Sequence, residues 1–447
     1  MSHKTAAEST SPSSSGKKNN KSKSTRPLSA SQISKNKNHF ETWTERQNSS
    51  LVSFDSLPQD LRTSVDDVFE VRGRIPSSWL KKGSKAYKLL RSVAKPGLID
   101  FLRDAKESEE TLFTCDGEDD DGLKEFPILF SQITKVFDAW VSFTKMKNSA
   151  QTYSEADFAT ACDSFRISAM TLSRPRAQSS ISLSHPLDLR GLHPNGVRIL
   201  SVKTAKPDMV IFIPRLLIAD LSDPKGSAFQ VLRKHPKVKL AGRPEKGSSF
   251  SFQATVRDKL PEKPGFEIAS SCWEDKKPVQ TSVQSAFNQN RMATIAAVRH
   301  LESLGINAPI YGLVWANGTV QAHVDWWEHT ASKKGKRSVL VYTAKFPNRK
   351  TQDAQKWKLH KPADILHVNF LVSNIDHWTC NGFKDAVVNG IEGLRTSVVE
   401  NKGQYTRWKR TGTIEVDDRN KASSIMGVGI PLFPQDTNID RKPRVKR

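Results

Sequence analysis

The stretch Phe266–Pro278, FEIASSCWEDKKP, constrains this chain more than any other. It begins apolar and compact, ends in Glu274-Asp275-Lys276-Lys277, and runs into SVQSAFNQNRMATIAAVRHL, whose apolar residues recur at helical spacing. Read as a strand, it alternates faces, so residues two apart point the same way. Counting back in twos from Glu274 gives Cys272, Ser270, Ile268 and Phe266; counting back from Asp275 gives Trp273, Ser271, Ala269 and Glu267. The first series is the more compact and favours Glu274 and Lys276 as the pair at a solvent-reaching strand end. A bulge would exchange them for Asp275 and Lys277.

Bulk composition limits the partners. The 447 residues carry 69 Lys and Arg against 47 Asp and Glu, a net charge of +22. Such an excess favours a polyanion, most simply nucleic acid, through counterion release. Solvated basic tails account for part of it. The four cysteines, Cys115, Cys162, Cys272 and Cys380, are far apart and form no C-x-x-C, which argues against a disulfide framework or structural zinc and for a reducing compartment. No apolar run approaches the roughly 20 residues of a membrane span, and the N-terminus lacks a secretory apolar core. The expectation is an intracellular protein without a membrane role. Basic clusters at Lys17-Lys18-x-x-Lys21-x-Lys23 and Arg441–Arg447 have the composition of nuclear import signals.

Along the chain, residues 1–52 are rich in Ser, Lys and Asn and are expected to be a disordered tail. Residues 53–150 read as a helical N-terminal region. Residues 151–345 read as an α/β domain with a partly mobile basic insertion at 222–264, whose cations suit backbone contact with nucleic acid as well as they suit a solvated loop. Residues 346–400 read as a C-terminal helical part and 401–447 as a mostly flexible tail with one short apolar run, Ile425–Phe433. Within the α/β region, Ser154–Leu172 reads as a helix with a Ser154/Asp157 capping box. The polar, Pro-containing segment Arg174–Asn195 reads as a connector. Val197–Val202 and Asp208–Ile213 read as strands, the second apolar on both faces. Val283–Leu304 reads as a helix ended by Gly305. Ala308–Trp315 and Thr319–Trp327 form a hairpin about Asn317-Gly318, and Ser338–Thr343 continues the sheet. The predicted fold class is therefore α/β, a mixed central sheet flanked by helices.

The order helix, three strands, helix, strand, with Pro207-Asp208 opening one strand and Glu274-x-Lys276 closing the next, resembles the PD-(D/E)xK nuclease superfamily, the restriction-endonuclease-like fold. The resemblance covers about Ser154–Thr343, and the layout also resembles large fungal protein sets that carry this fold. It implies metal-dependent hydrolysis of DNA. Asp208 and Glu274 would be ligands of magnesium or manganese, and Lys276 would orient the attacking water or stabilise developing charge. Glu155, Gln284 and Gln289 are candidates for the auxiliary positions on the flanking helices. Family members usually join the two strands by a short hairpin; here the 222–264 insertion intervenes. The alternative is a non-catalytic protein on the same fold that binds nucleic acid or protein.

Other signals point away from function. The acidic run Asp116–Gly122 has Asp121 and Pro127 where a calcium loop needs Gly and an acid, so a solvated loop is expected. His360, His367 and His377 lack metal-ligand spacing. Trp326, Trp327, Trp357 and Trp378 suit core packing better than base stacking. There is no phosphate-binding Gly-rich loop of either common pattern.

Overall fold

A computed structural model describes residues 26–411 apart from 116–122, 124, 152, 174, 243–248, 277–282, 332–336, 349–350, 352 and 401–404. Both terminal basic clusters, the acidic run Asp116–Gly122, Ile425–Phe433 and Lys277 lie outside the described residues.

The strands in chain order are β1 (Ser49–Val52), β2 (Pro175–Ala177), β3 (Ile181–Ser182), β4 (Thr204–Ala205), β5 (Met209–Phe212), β6 (Ala269–Lys276), β7 (Ile310–Ala316), β8 (Thr319–Ala331), β9 (Arg337–Lys345) and β10 (Trp357–Lys358). The main sheet runs β1-β9-β8-β7-β6-β5-β2, with β10 on β8. The β1/β9 and β6/β7 pairs are parallel and the others antiparallel, which makes the sheet mixed. All seven residues of β7 are buried, as a central strand covered on both faces requires. In β6 the first six are buried and the last two half-buried, so the strand leaves the core just after Glu274. Asn317 and Gly318 both take positive φ, 55° and 62°, and turn the β7/β8 hairpin as expected.

The helices are α1 (Ala30–Lys35), α2 (Lys37–Arg46), α3 (Gln59–Phe69), α4 (Lys85–Val93), α5 (Leu98–Ser108), α6 (Phe126–Asn148), α7 (Glu155–Ala169), α8 (Pro194–Leu200), α9 (Ala228–Lys234), α10 (Pro236–Gly242), α11 (Phe250–Gln253), α12 (Val283–Ser303), α13 (Pro362–Cys380) and α14 (Gly382–Val399). Alternation along the strands divides the core in two. Met209, Ile211, Trp273, Tyr311, Leu313 and Trp315 pack with α3 to α7 and α13. Val210, Phe212, Cys272 and Ile310 pack with α1, α2, α8, α9, α12 and α14. The helical region 53–150 and the C-terminal helices thus share cores with the sheet. None of the described helices is long and apolar enough to cross a membrane.

Several expectations need correction. Residues 26–52 are not a disordered tail. Ile33, Phe40 and Trp43 are buried in the α12-side core, and β1 adds a parallel edge to β9. Each such side chain contributes on the order of 2 kcal/mol, so a few anchors outweigh a polar average. Val197 lies not in a strand but in α8, which Pro194 opens at a position suited to it and His193 caps through its ring. The connector after Arg174 contributes β2, paired with β5. The described part of the insertion forms α9 to α11, whose Phe229 and Phe250 meet each other and Phe266, just beyond the insertion, edge to face or tilted. In addition, residues 405–411 of the expected flexible tail are docked, with Trp408 3% exposed and its Nε1 donating to Ser184 Oγ at 2.9 Å.

Candidate active site

Asp208 sits immediately before β5 at the point where the β5/β6 ladder ends. Its N–H donates to Trp273 O (3.0 Å) and its carbonyl accepts from Gln178 N (2.8 Å). Its carboxylate Oδ2 accepts from the Asp275 N–H at 2.7 Å. The side chain therefore takes the place a ladder carbonyl would occupy, which ties one acid directly to the strand that carries the others. Although the two strands are separated by the whole insertion, pairing of Met209 with Trp273 brings their ends together.

Glu274 follows Cys272 on the α12 side of β6 and is 1% exposed; the expected alternation breaks at Ser270, where the pairing shifts between Ile211–Ser271 and Phe212–Ala269 and the Ser270 hydroxyl meets that of Thr379 on α13 at 2.7 Å. Its Oε1 accepts from Lys276 Nζ, while Oε2 is buried without a partner. The Lys276 side chain is 17% exposed. Burial pushes the Glu274 carboxyl up to about 8; the Lys276 ammonium opposes this, and the charges of Asp208 and Asp275 add to it. Burial likewise raises Asp208; the Asp275 N–H and Lys276 work against the rise, and the charges of Asp275 and Glu155 reinforce it. Burial disfavours the Lys276 ammonium, but the charges of Glu274, Asp208 and Glu155 outweigh it and raise its pKa.

The charges of Asp208 and Lys276 both act on Glu274, and the charge of Glu155 acts on Asp208 and Lys276, but the cleft that Asp208 lines takes in Asp275 and Glu155 and neither Glu274 nor Lys276. Glu155 opens α7 beneath the Ser154/Asp157 capping box. It lines a cleft of about 600 Å³ with Ser154, Gln178, Asp208 and Asp275. Gln284 is not part of the group; it donates to Asn288 Oδ1 at 2.8 Å and lines two other clefts. Gln289 is half-buried on α12 and takes no part in the bonds around the acids. Asp275, the alternative to Glu274, faces the opposite side of β6. There Arg166 holds it bidentately, Nη2 to Oδ1 at 2.7 Å and Nη1 to Oδ2 at 3.1 Å.

Sequence reasoning missed Arg166. It is 1% exposed, and its guanidinium lies 3.7 Å from the Trp315 ring centroid. A signal existed: Arg166 falls four residues after Cys162, inside the apolar stripe of α7, where a cation needs a buried acid. The other weak signals resolve as packing. Trp326 and Trp357 are core residues, Trp327 Nε1 donates to Ile306 O at 2.9 Å, and His367 lies against Trp357 at 5.2 Å between ring centroids.

Among the described residues no group of three or more His, Cys, Asp or Glu is arranged to hold a metal ion. A hard cation needs less: magnesium is often held by one or two carboxylates and keeps several waters. Asp208 and Glu274 are acids of that kind, and Glu274 has one buried carboxylate oxygen without a partner. No protein-family model matches this chain, and no curated protein matches it either. On fold and site alone it is a mixed α/β protein with an acid–acid–lysine group at the end of a central strand pair.

Proposed function

We propose that this chain is a metal-dependent nuclease of the PD-(D/E)xK, restriction-endonuclease-like kind that hydrolyses phosphodiesters of DNA. The observation that carries the reading is the joining of Asp208 to the Glu274-x-Lys276 strand, with Glu274 Oε2 left partnerless. Asp208 and Glu274 would hold magnesium or manganese, which when bound supplies Lewis acidity and an activated water. The remaining work falls to the chain itself. Glu274 must lose its proton before it can act as a carboxylate. Lys276, kept cationic by the surrounding acids, orients water or offsets charge developing on the phosphate. Arg166 holds Asp275, and Asp275 in turn fixes Asp208 through its N–H.

The test is nicking of supercoiled plasmid by the full chain with magnesium or manganese. Activity is expected, and Glu274→Ala should abolish it; equal activity in the variant removes Glu274 from the mechanism. The rival reading, a non-catalytic binder of nucleic acid, draws support from the closed Glu274–Lys276 pair. It predicts salt-dependent retention of DNA with no nicking under either metal. A nuclear location belongs to the same proposal, and deletion of the Arg441–Arg447 cluster should redistribute a fluorescent fusion.

A further inference from the structure

Away from the acids, the N-terminal half of α12 carries a second cluster. Arg291 is 5% exposed, and its bonds are to hydroxyls: Nε to Thr343 Oγ1 at 3.1 Å and Nη2 to Ser49 Oγ at 3.2 Å. Asp325, whose charge acts on it, is reached only through Thr343 and is also engaged by His323 Nδ1 at 2.6 Å. Lys345 Nζ stands 4.2 Å from the centroid of Phe287, the ring that Arg291 approaches to 5.7 Å. Two cations therefore share one aromatic ring. Among the described residues neither of them, nor the neighbouring Lys356, forms an ion pair.

The Phe287 ring face attracts each cation, but the two cations it gathers also repel one another. A buried cation is best tolerated when paired, which Arg291 is not. The repulsion is visible in Lys345, where burial first, then Arg291 and Lys356, lower the pKa. An entering anion would relieve it. Room for one exists on both sides of Gln284. Arg291 lines one cleft of about 420 Å³ with Lys35 and Lys37. Lys345 and Lys356 line another of about 580 Å³. The two clefts hold five cations against two carboxylates, Glu41 and Asp353. Of these, Glu41 is already paired with Lys37 at 3.8 Å on the open rim.

We infer that the paired clefts across the N-terminal half of α12 are a phosphate track, in which Arg291 and Lys345 each take a backbone phosphate of a nucleic-acid strand. The inference rests on the nucleic-acid part of the proposed function but not on catalysis. It places the strand on a surface different from the basic insertion. Arg291, held in place by Thr343 and Ser49 through Nε and Nη2, has Nη1 to offer a phosphate oxygen, and the lysines supply point charges.

Anisotropy of a labelled DNA oligonucleotide, titrated with the full chain in EDTA at several salt concentrations, tests it. Removing the cation that neutralises one phosphate should reduce the slope of log K against log salt by about 0.7–0.9. Arg291→Gln should therefore lower the slope by about one phosphate, with partial rescue by Arg291→Lys. Lys345→Gln with Lys356→Gln, nearer the surface, should lower it by one to two phosphates and weaken binding about tenfold or more. It also keeps the test decisive if Arg291→Gln does not fold. Lys237→Gln with Lys239→Gln on the insertion should leave the slope unchanged. An unaltered slope in the Lys345/Lys356 variant overturns the track, whether or not wild-type protein nicks plasmid. Nicking abolished by Glu274→Ala, with binding intact, leaves the track standing. Saturable binding of inorganic phosphate that Arg291→Gln removes, in a protein that does not bind DNA, would assign the seat to the free anion and overturn the strand.

Discussion

The buried Glu274 carboxyl makes a quantitative prediction about stability. Its pKa stands at about 8 in the folded chain against an ordinary 4.5. Between those values the folded state holds a proton that the unfolded state has released, so folding stability falls as pH rises through that window. At roughly 1.4 kcal/mol per pH unit the interval amounts to on the order of 5 kcal/mol, and at 1% exposure little of it is screened by solvent. Glu274→Gln keeps the shape and removes the titration. Urea unfolding of both proteins from pH 4.5 to 8.5 is the assay, and the difference between them cancels the other titrating groups. The variant should gain on wild type steadily up to pH 8 and then level off. Magnesium should narrow the gap at pH 8 by stabilising wild type alone, a readout independent of turnover. A difference that stays flat across the range would refute the placement of Glu274 as a buried acid.

Further expectations concern the supports of the site. Arg166→Met leaves Asp275 without its bidentate partner and should lower unfolding stability by about 3 kcal/mol; a loss under about 0.5 kcal/mol would show the pair to be dispensable. Gly312→Ala would place a Cβ 2.0 Å from His323 Nε2 and 2.5 Å from Asn290 Oδ1. It should cost about 1–3 kcal/mol by overpacking, seen as a lower melting temperature, and an unchanged melt contradicts the close approach. Trp408→Ala should cost about 3–5 kcal/mol and open the 405–411 segment to trypsin at Lys409 and Arg410; equal resistance of the two proteins would argue that the segment is not held by Trp408.

Much of the site was legible before its geometry. Glu274 and Lys276 share a face because strand alternation is a local property, and the hydrogen bond between them is its direct result. Asp275, the alternative, is held by Arg166, a residue 109 positions away, a pairing that no local pattern could show. Asp208 could be named as a candidate, but not its use of a carboxylate in place of a ladder carbonyl. That depends on where β5 stops pairing with β6.

The N-terminal segment shows the same division. A Ser- and Lys-rich average reads as disorder, yet burial depends on individual side chains finding a surface, and Phe40 and Trp43 find one against α12 and α8. Val197 reads as a strand on β-branching, yet Pro194 and the capping His193 begin a helix there. By itself the sequence settled what is short-range: the Asn317-Gly318 turn, the Ser154/Asp157 cap, the 3.6-residue stripe of α12 and the charges at the end of β6. These follow from dihedral preferences and neighbours within a few residues. Only the tertiary structure decided which partner each carboxylate meets, which cations are buried and which polar stretches are ordered, because those outcomes come from desolvation and pairing between segments far apart along the chain.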